Sequence, residues 1–502
     1  MISKTPKQSK ARYGTRKILI KYMLRKKDFI KINDRLWEIP KTFRPDMLVP
    51  ARVYTSEKMM EDIFRDQSIP QLINGCTLPG ISRYGIAMAD MHEGYSVPIG
   101  FVGAVRTSDG IISPGACGFD INCGMKLLKS ELSEKEVRPY LERLASEIQK
   151  EVPSGLGMGK QVKINFDQVD KVLEGGAQEL VEQGYGEKQD IENCEAEGKL
   201  DWADAEAVSR HAKSRGRDQV GTLGSGNHFL EVQKVQEIFD EETAGAFGLF
   251  KDQIVIMIHC GSRGLGHQVC TDYLKEFIPL MLNKYRIKVP DREFACVPFH
   301  SPEGQRYFSA MAAAANYAWA NRQMIAHFVR KAWEEVLGKS SLIALYDVAH
   351  NIIKKETYLI DGKETELAVH RKGATRAFPP GSSEIPERYK KAGQPVLIPG
   401  SMGTASYILA GTKQGEESFF STAHGAGRTM SRKAAMRAVS GQEVIKSLAS
   451  RGIIIKCRSP RGIAEEAPLA YKDIESVIDV VHNAGLSKKV AKLIPLAVIK
   501  GE

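Results

Sequence analysis

Six residues from five segments have the types and surroundings of a catalytic metal site. Asp120 and Cys123 stand in Gly118-Phe-Asp-Ile-Asn-Cys-Gly124, and His228 in Gly224-Ser-Gly-Asn-His-Phe-Leu-Glu231. His259 opens His-Cys-Gly-Ser-Arg-Gly264, His350 lies in Asp347-Val-Ala-His-Asn351, and His424 opens His-Gly-Ala-Gly-Arg428. Each has small or turn-forming neighbours, and two follow an apolar run, the place where a rigid strand hands a side chain to an active-site loop. A carboxylate, a thiolate and several imidazoles suit a borderline divalent transition metal. Asp120 and Cys123 are three apart, so in a turn both can face one centre. The plain alternative makes Cys123 a small buried hydrophobe. Glycines at 115, 118 and 124 weigh against it.

The segment from His424 to Arg428 adds phosphate chemistry. Glycines at 425 and 427 clear space for a large ligand and bare backbone N–H groups, and Arg428 offers a planar fork. The imidazole there is open to three roles: a further ligand, a base, or a nucleophile toward phosphorus. Gly400-Ser401-Met-Gly-Thr404 is a second oxyanion candidate or an ordinary turn. The chain has no Gly-x-x-x-x-Gly-Lys-Ser/Thr loop, no His-Glu-x-x-His helix and no Lys-x-Asp-Gly ligase nucleophile. The patterns Gly261–Gly266 and Gly155–Gly159 carry little information alone.

The elements that must position these groups are partly legible. Residues 34–53 read as short strands with prolines as punctuation. Ile86 to Asp90 is a short apolar stretch, and Val97–Val105 reads as a buried strand with glycines for close approach. Ser133-Glu-Lys-Glu136 is a capping box, so a helix should run to about Glu151, with Pro139 against it. Gln253–Ile258 is a buried strand ending at His259, and Ser341–Tyr346 is another ending near His350. Ser301-Pro302 starts a helix that reaches Leu337 and stops at Gly338, with Met311, Ala314, Ala318, Ile325, Phe328 and Ala332 on its core face. Val396–Pro399 leads into the turn at 400–404. Residues 183–220 read as short helices in a polar surface excursion. Strands and helices mix without βαβ alternation, so the expected fold class is α+β.

Composition sets the outer bounds. The 502 residues are 42% hydrophobic and 26% charged, as in soluble globular proteins. No apolar run is long enough to span a membrane, and the N-terminus lacks the apolar core of a secretory signal. Eight cysteines at irregular spacing point to a reducing compartment, and a cytoplasmic location is expected. The net charge of +10 fits a polyanionic partner and equally an ordinary basic surface. The first 27 residues carry ten Lys or Arg and no acid. They fit a flexible basic arm that touches nucleic acid, a transit segment, or a chain that starts at Met23.

Taken in order, the motifs resemble the RtcB family of GTP-dependent RNA-splicing ligases. They are Asp90-Met-His-Glu-Gly-Tyr-Ser-Val-Pro-Ile-Gly100, Ser113-Pro-Gly through Gly124, Gly224–Glu231 and His259–Gly266. Ala349-His-Asn351, His370-Arg-Lys-Gly-Ala-Thr375, Pro399–Tyr407, His424–Arg428 and Lys500 continue the series. The resemblance implies one large α+β ligase domain over residues 28–502, with mixed sheets around a two-metal cleft. It implies two Mn²⁺ ions per subunit: Asp120 and His228 on one, His259 and His350 on the other, Cys123 shared. His424 would take GMP from GTP. Asn227, Glu231, His350, Asn351, Ser401, His424, Gly425, Gly427, Arg428, Tyr471 and Lys500 would hold the nucleotide. Arg263, Lys372 and Asp90 would meet phosphates or RNA ends. The implied reaction joins a 2′,3′-cyclic phosphate or 3′-phosphate end to a 5′-hydroxyl end, in transfer-RNA splicing or RNA repair, with an archease-type activator as a candidate partner. Two departures stand out: Gly115-Ala-Cys-Gly-Phe119 is less glycine-rich than usual, placing a second thiol, Cys117, near the site, and Ser96 occupies a position where glycine is commoner. An RNA-end phosphoesterase and a non-catalytic RNA-binding protein are the competing readings.

Overall fold

Strand register brings the scattered ligand candidates to one line. The computed structural model describes residues 24–154, 164–338 and 342–501. Among them, an eight-stranded sheet contains Ile343–Ala349, Gly124–Ser133, Gln253–Cys260, Phe229–Ile238 and Ser487–Lys500 as consecutive neighbours. All four pairings between them are antiparallel, and Gly124 faces both Ala349 and Cys260, while Phe229 faces both His259 and Lys500. One edge of the sheet therefore carries Cys123, His228, His259, His350 and Lys500 side by side. Gln253–Cys260 is buried at every position, as its continuous apolar run requires.

A seven-stranded sheet faces this edge. It includes Ile81–His92, Ile99–Arg106, Lys363–Lys372 and Asn351–Ile360 in that order. The chain leaves one sheet at Ala349 and enters the other at Asn351, so His350 is the crossover residue. Asp90 lies near the end of Ile81–His92. His424 follows Ser421–Ala423, which pairs with Ala374–Arg376 in a two-stranded sheet of its own. The fold is α+β, with helices packed against mixed sheets.

Helix Pro302–Leu337 starts and stops where its sequence directs. Ser301 Oγ accepts from the Gly304 N–H at 3.1 Å, proline takes the first turn, and Gly338 closes the helix in the left-handed region at φ 61°. It is not, however, a helix with a single core face: every residue from Ala310 to Ala326 is buried. The alanine-rich stretch lets neighbours approach on all sides, so the helix is an axle of the core. The Ser133 capping box also forms, and Pro139 breaks the following helix into Glu134–Val137, a 3₁₀ turn at Arg138–Tyr140 and Leu141–Glu151. Segment 183–220 contains short helices, but it is more than surface, because Asp190, Asn193, Cys194 and Glu195 turn inward and are buried. The basic arm lies outside the described residues up to residue 23, as does the glycine pattern at 155–159. No disulfide is formed among the described residues, and no described helix is long and apolar enough to cross a membrane.

Candidate active site

Cys123 stands at the centre of a buried cluster. Its Sγ lies 3.3 Å from His228 Nε2 and 3.3 Å from His259 Nε2. The ligand atoms of these three lie within 4.8 Å of one another. Asp120 Oδ2 is 2.8 Å from His228 Nε2, and the His350 ring centroid is 5.2 Å from that of His259. The five expected ligands thus meet in one place.

The electrostatics fit a cation. Burial, reinforced by His228 and His424, pushes the His259 imidazole well below its ordinary pKa, and burial with His424 and His259 does the same to His350. Both rings are neutral donors, and the Nδ1 atoms of both are buried without a hydrogen-bond partner. Burial and the Asp120 charge push the Cys123 thiol up to about 12, so it is protonated until a cation joins it. Asp120 goes the other way: burial raises it, but His228 outweighs burial and holds it at about 2. The donor set suits a divalent metal.

A buried arginine holds three of the ligand segments together. Arg322, fully buried in the long helix, donates from Nη1 to the carbonyls of Asn122 at 2.8 Å and Cys260 at 2.9 Å, and from Nε to Asp347 Oδ1 at 2.9 Å. These residues adjoin Cys123, adjoin His259 and lie three before His350. Glu195 Oε2 accepts from the Ala349 N–H at 2.8 Å, next to His350. Sequence reasoning missed Arg322, Asp347 and Glu195. The signal was present in Arg322, a charge inside an otherwise alanine-rich helical run.

His424 faces this cluster, with its ring 4.9 Å from that of His350. Its Nδ1 lies 2.5 Å from Asp90 Oδ2, and the same oxygen accepts from the His424 and Gly425 N–H groups at 2.9 and 3.2 Å. A carboxylate can only accept, so Nδ1 carries a proton toward Asp90, and in the neutral ring Nε2 is the nitrogen with the lone pair. Asp90 was expected beside phosphate. The structure instead places it, fully buried, behind the imidazole, where a carboxylate would repel a phosphate and can orient a ring. Gly427 has φ 72°, and a Cβ there would sit 2.1 Å from the Asp90 carbonyl oxygen, so this turn needs glycine.

A cavity of about 340 Å³ opens over both groups. Asp120, Cys123, His259, His350 and His424 line it, and so do Asn227, Asn351, Lys372 and Ser401. Gly425, Gly427, Arg428, Tyr471 and Lys500 complete the expected set on its wall. Asn351 braces the site, donating to the Asp120 carbonyl at 3.0 Å and accepting from Gly373 N–H at 2.7 Å. Lys372 donates to the carbonyls of Tyr95, Val97 and Gly115, and burial lowers its pKa to about 8. Arg428 is already engaged: it donates to Glu466 Oε2 at 2.7 Å, to the Glu465 carbonyl at 2.9 Å and to the Tyr471 hydroxyl at 3.2 Å. Glu466, which also pairs with Arg432, is a further member of this wall that sequence reasoning missed.

Three residues sit elsewhere. Glu231 is buried below the cavity, where it accepts from Gln233 Nε2 at 2.6 Å and burial pushes its carboxyl up to about 8. Arg263 is buried behind His228, with Nε donating to Thr222 Oγ1 at 3.2 Å and Nη2 unsatisfied. Cys117 is absorbed by the hydrophobic core, where burial raises its thiol to about 12, and it stands outside the group formed by Cys123, His228 and His259. Ser96 adopts φ 70°, which explains the preference for glycine at that position. His92 borders the cavity with Nδ1 3.1 Å from the Asp90 carbonyl oxygen, whereas His267 lies exposed, stacked on Phe119.

The chain is similar to known proteins over most of its length. The sequence profile of the family described as "tRNA-splicing ligase RtcB" matches residues 71–501. A "tRNA-splicing ligase RtcB" of Archaeoglobus fulgidus is 51% identical over 476 residues, covering 94% of this chain and 98% of that protein. Another, of Methanococcus maripaludis, is 51% identical over 476 residues, covering 94% of this chain and 99% of its own length. An "RNA-splicing ligase RtcB" of Mycobacterium bovis is 50% identical over 434 residues, which is 86% of this chain and all of that protein, 100%.

Proposed function

The chain belongs to the RtcB family of RNA ligases, and on that premise we propose that it seals RNA through a histidine–GMP intermediate on His424, using GTP and manganese. The observation that carries this reading is the pairing of His424 with Asp90 at 2.5 Å on the wall of a cavity that also holds the Cys123 cluster. Asp90 fixes the tautomer and stabilises the ring as it gains positive character, which leaves His424 Nε2 as nucleophile toward the α-phosphate. Bond formation between Nε2 and phosphorus releases pyrophosphate. Water attacks a 2′,3′-cyclic phosphate end and the 2′-oxygen leaves as a hydroxyl, giving a 3′-phosphate; GMP passes from His424 to that phosphate, and the 5′-hydroxyl displaces GMP to close the strand.

Asp120, Cys123, His228, His259 and His350 would hold two divalent ions, which neutralise charge developing on phosphate oxygens. Asn227, Ser401, Tyr471 and Lys500 border the space for guanosine, with Glu231 below it. Lys372 and Arg263 supply positive charge near the phosphates. We take residues 28–502 as one ligase domain, cytoplasmic in location, with transfer-RNA halves as a suitable substrate and an archease-type protein as a candidate activator.

The test is GMP labelling. Wild-type protein with radiolabelled GTP and Mn²⁺ should acquire a covalent label, and His424→Ala should acquire none. Full labelling of His424→Ala would remove it as the nucleophile. Joining of a cyclic-phosphate RNA to a 5′-hydroxyl RNA across a series of metals then tests the ligase reaction and the choice of manganese.

A further inference from the structure

Three aromatic rings form a shelf on the rim of the cavity. Tyr95 meets Phe119 edge-on, with centroids 5.2 Å apart at 64°. Phe119 stacks on His267 at 5.0 Å and 28°. Tyr95 and Phe119 are half-buried and line the cavity, and His267, at the start of helix Arg263–Pro279, is exposed. Tyr95 and Phe119 pack against the core and border the opening, and His267 extends the surface outward from Phe119.

The position of the shelf matters more than its composition. Phe119 immediately precedes Asp120, so whatever lies on the ring is one residue from the ligand cluster. The three segments involved supply none of the residues assigned to guanosine above, so the shelf stays available when a nucleotide occupies that wall. Cations flank it. Lys372 Nζ is bonded to the Tyr95 carbonyl, and Arg215 Nη1 donates at 3.1 Å to Gln268 Oε1, next to His267. An aromatic face with cations beside it is the combination that holds single-stranded nucleic acid, the ring stacking on a base and the cations following the backbone.

We propose that Tyr95, Phe119 and His267 stack the terminal nucleobase of an RNA strand and thereby set its end phosphate or hydroxyl against the Asp120–Cys123 cluster. The proposal rests on the ligase reading. It makes these three side chains positioning residues for the RNA end, with no part in forming the histidine–GMP bond. Stacking tolerates any base, so the shelf would accept ends of different sequence.

The experiment removes the base from the RNA and the ring from the protein. Joining is measured as kcat/KM with intact RNA, with an abasic terminal nucleotide on the 3′-phosphate strand, and with one on the 5′-hydroxyl strand. Wild-type protein should lose about tenfold or more on one of the two abasic substrates, which identifies the strand that uses the shelf. Phe119→Leu keeps apolar volume over the core and removes the flat face. In Phe119→Leu and in His267→Ala the ratio of intact to abasic rates should shrink toward one, while His267→Phe should restore it. This ratio is internal to each variant, so a general loss of folding does not imitate it. Equal joining of intact and abasic RNA by the wild type, or a ratio unchanged in Phe119→Leu, would overturn the shelf. Wild-type protein that joins no RNA at all with GTP and Mn²⁺ would remove the ligase reading and the shelf together.

Discussion

The two walls of the cleft are built differently. The cluster wall is the edge of an eight-stranded sheet, where neighbouring strands fix Cys123, His228, His259 and His350 in register. Arg322 ties three of its segments from behind. The opposite wall, from Ser421 through Arg428 to Tyr471, is made of turns, short helices and three-residue strands. Its polar residues are bonded chiefly to one another: Arg428, Arg432 and Tyr471 all converge on Glu466. A set of metal ligands tolerates little displacement, so it belongs on a sheet edge. On the proposed reading the second wall admits and releases a nucleotide, and such a wall can sit on shorter elements with fewer core contacts.

The comparison breaks first at the residues that join the walls. Asp90 belongs to the seven-stranded sheet yet holds His424. Asp90→Asn keeps the shape and the acceptor for the two backbone N–H groups but removes the charge. Guanylylation should fall about 10³- to 10⁴-fold with little change in melting temperature, because the orienting carboxylate acts on the ring's tautomer and charge. Near-normal labelling of Asp90→Asn would mean that His424 needs no such partner. Next in size is Arg322→Met. It takes the hydrogen-bonded cation from Asp347 and leaves it only Lys126 at 3.8 Å, which costs about 3 kcal/mol of stability, and it frees the carbonyls beside Cys123 and His259. Thermal unfolding and a manganese titration should both show the loss. Unchanged metal affinity in a folded Arg322→Met would show that the sheet alone sets the ligands.

Acid tests the cluster wall separately. Glu195 is fully buried. Burial raises its carboxyl, but Lys354 and Arg376, at 2.9 and 3.0 Å, outweigh burial and hold it at about 2, against an ordinary 4.5. A depressed carboxylate stabilises the fold above its unfolded pKa, and that stability drains away as pH falls from about 4.5 toward 2. The contribution is about 3 kcal/mol when complete. Melting temperature should therefore drop across that window, and Glu195→Gln, less stable at neutral pH, should show a flatter acid limb. Parallel limbs in the two proteins would assign acid sensitivity to other groups.

Much of the cluster wall was legible from sequence because its signals are local. Apolar β-branched runs ending in histidine identify strand termini, and Ser301, Pro302 and Gly338 bound a helix by rules that act within one turn. The α+β class and the meeting of Asp120, Cys123 and three histidines follow from those signals together with the family motifs. What stayed hidden depends on contacts remote in sequence. Arg322 is 200 residues from Asn122 and Asp90 is 334 from His424. No periodicity announces such partners, so Asp90 looked like a phosphate neighbour and Arg322 like part of a helix. The all-round burial of that helix was hidden for the same reason, since alanine is compatible with a core or a surface.

Glu466 gives the smallest effect and the finest test of the nucleotide wall. The residue is 2% exposed, and its carboxylate collects Arg428 at 2.7 Å, Arg432 at 3.0 Å and the Tyr471 hydroxyl. Those three contacts fix Arg428 and Tyr471 where they border the cavity. Glu466→Gln removes the charge, keeps the size, and leaves one acceptor oxygen for three donors. Arg428 is partly open to water, so its lost ion pair is replaced in part by solvent, and the stability cost should be about 1–2 kcal/mol. The consequence for function should be a higher KM for GTP with manganese affinity unchanged, because the sheet edge does not pass through Glu466. A Glu466→Gln protein that lost manganese as well would show that the walls are one rigid unit, and the contrast between them would then be one of appearance only.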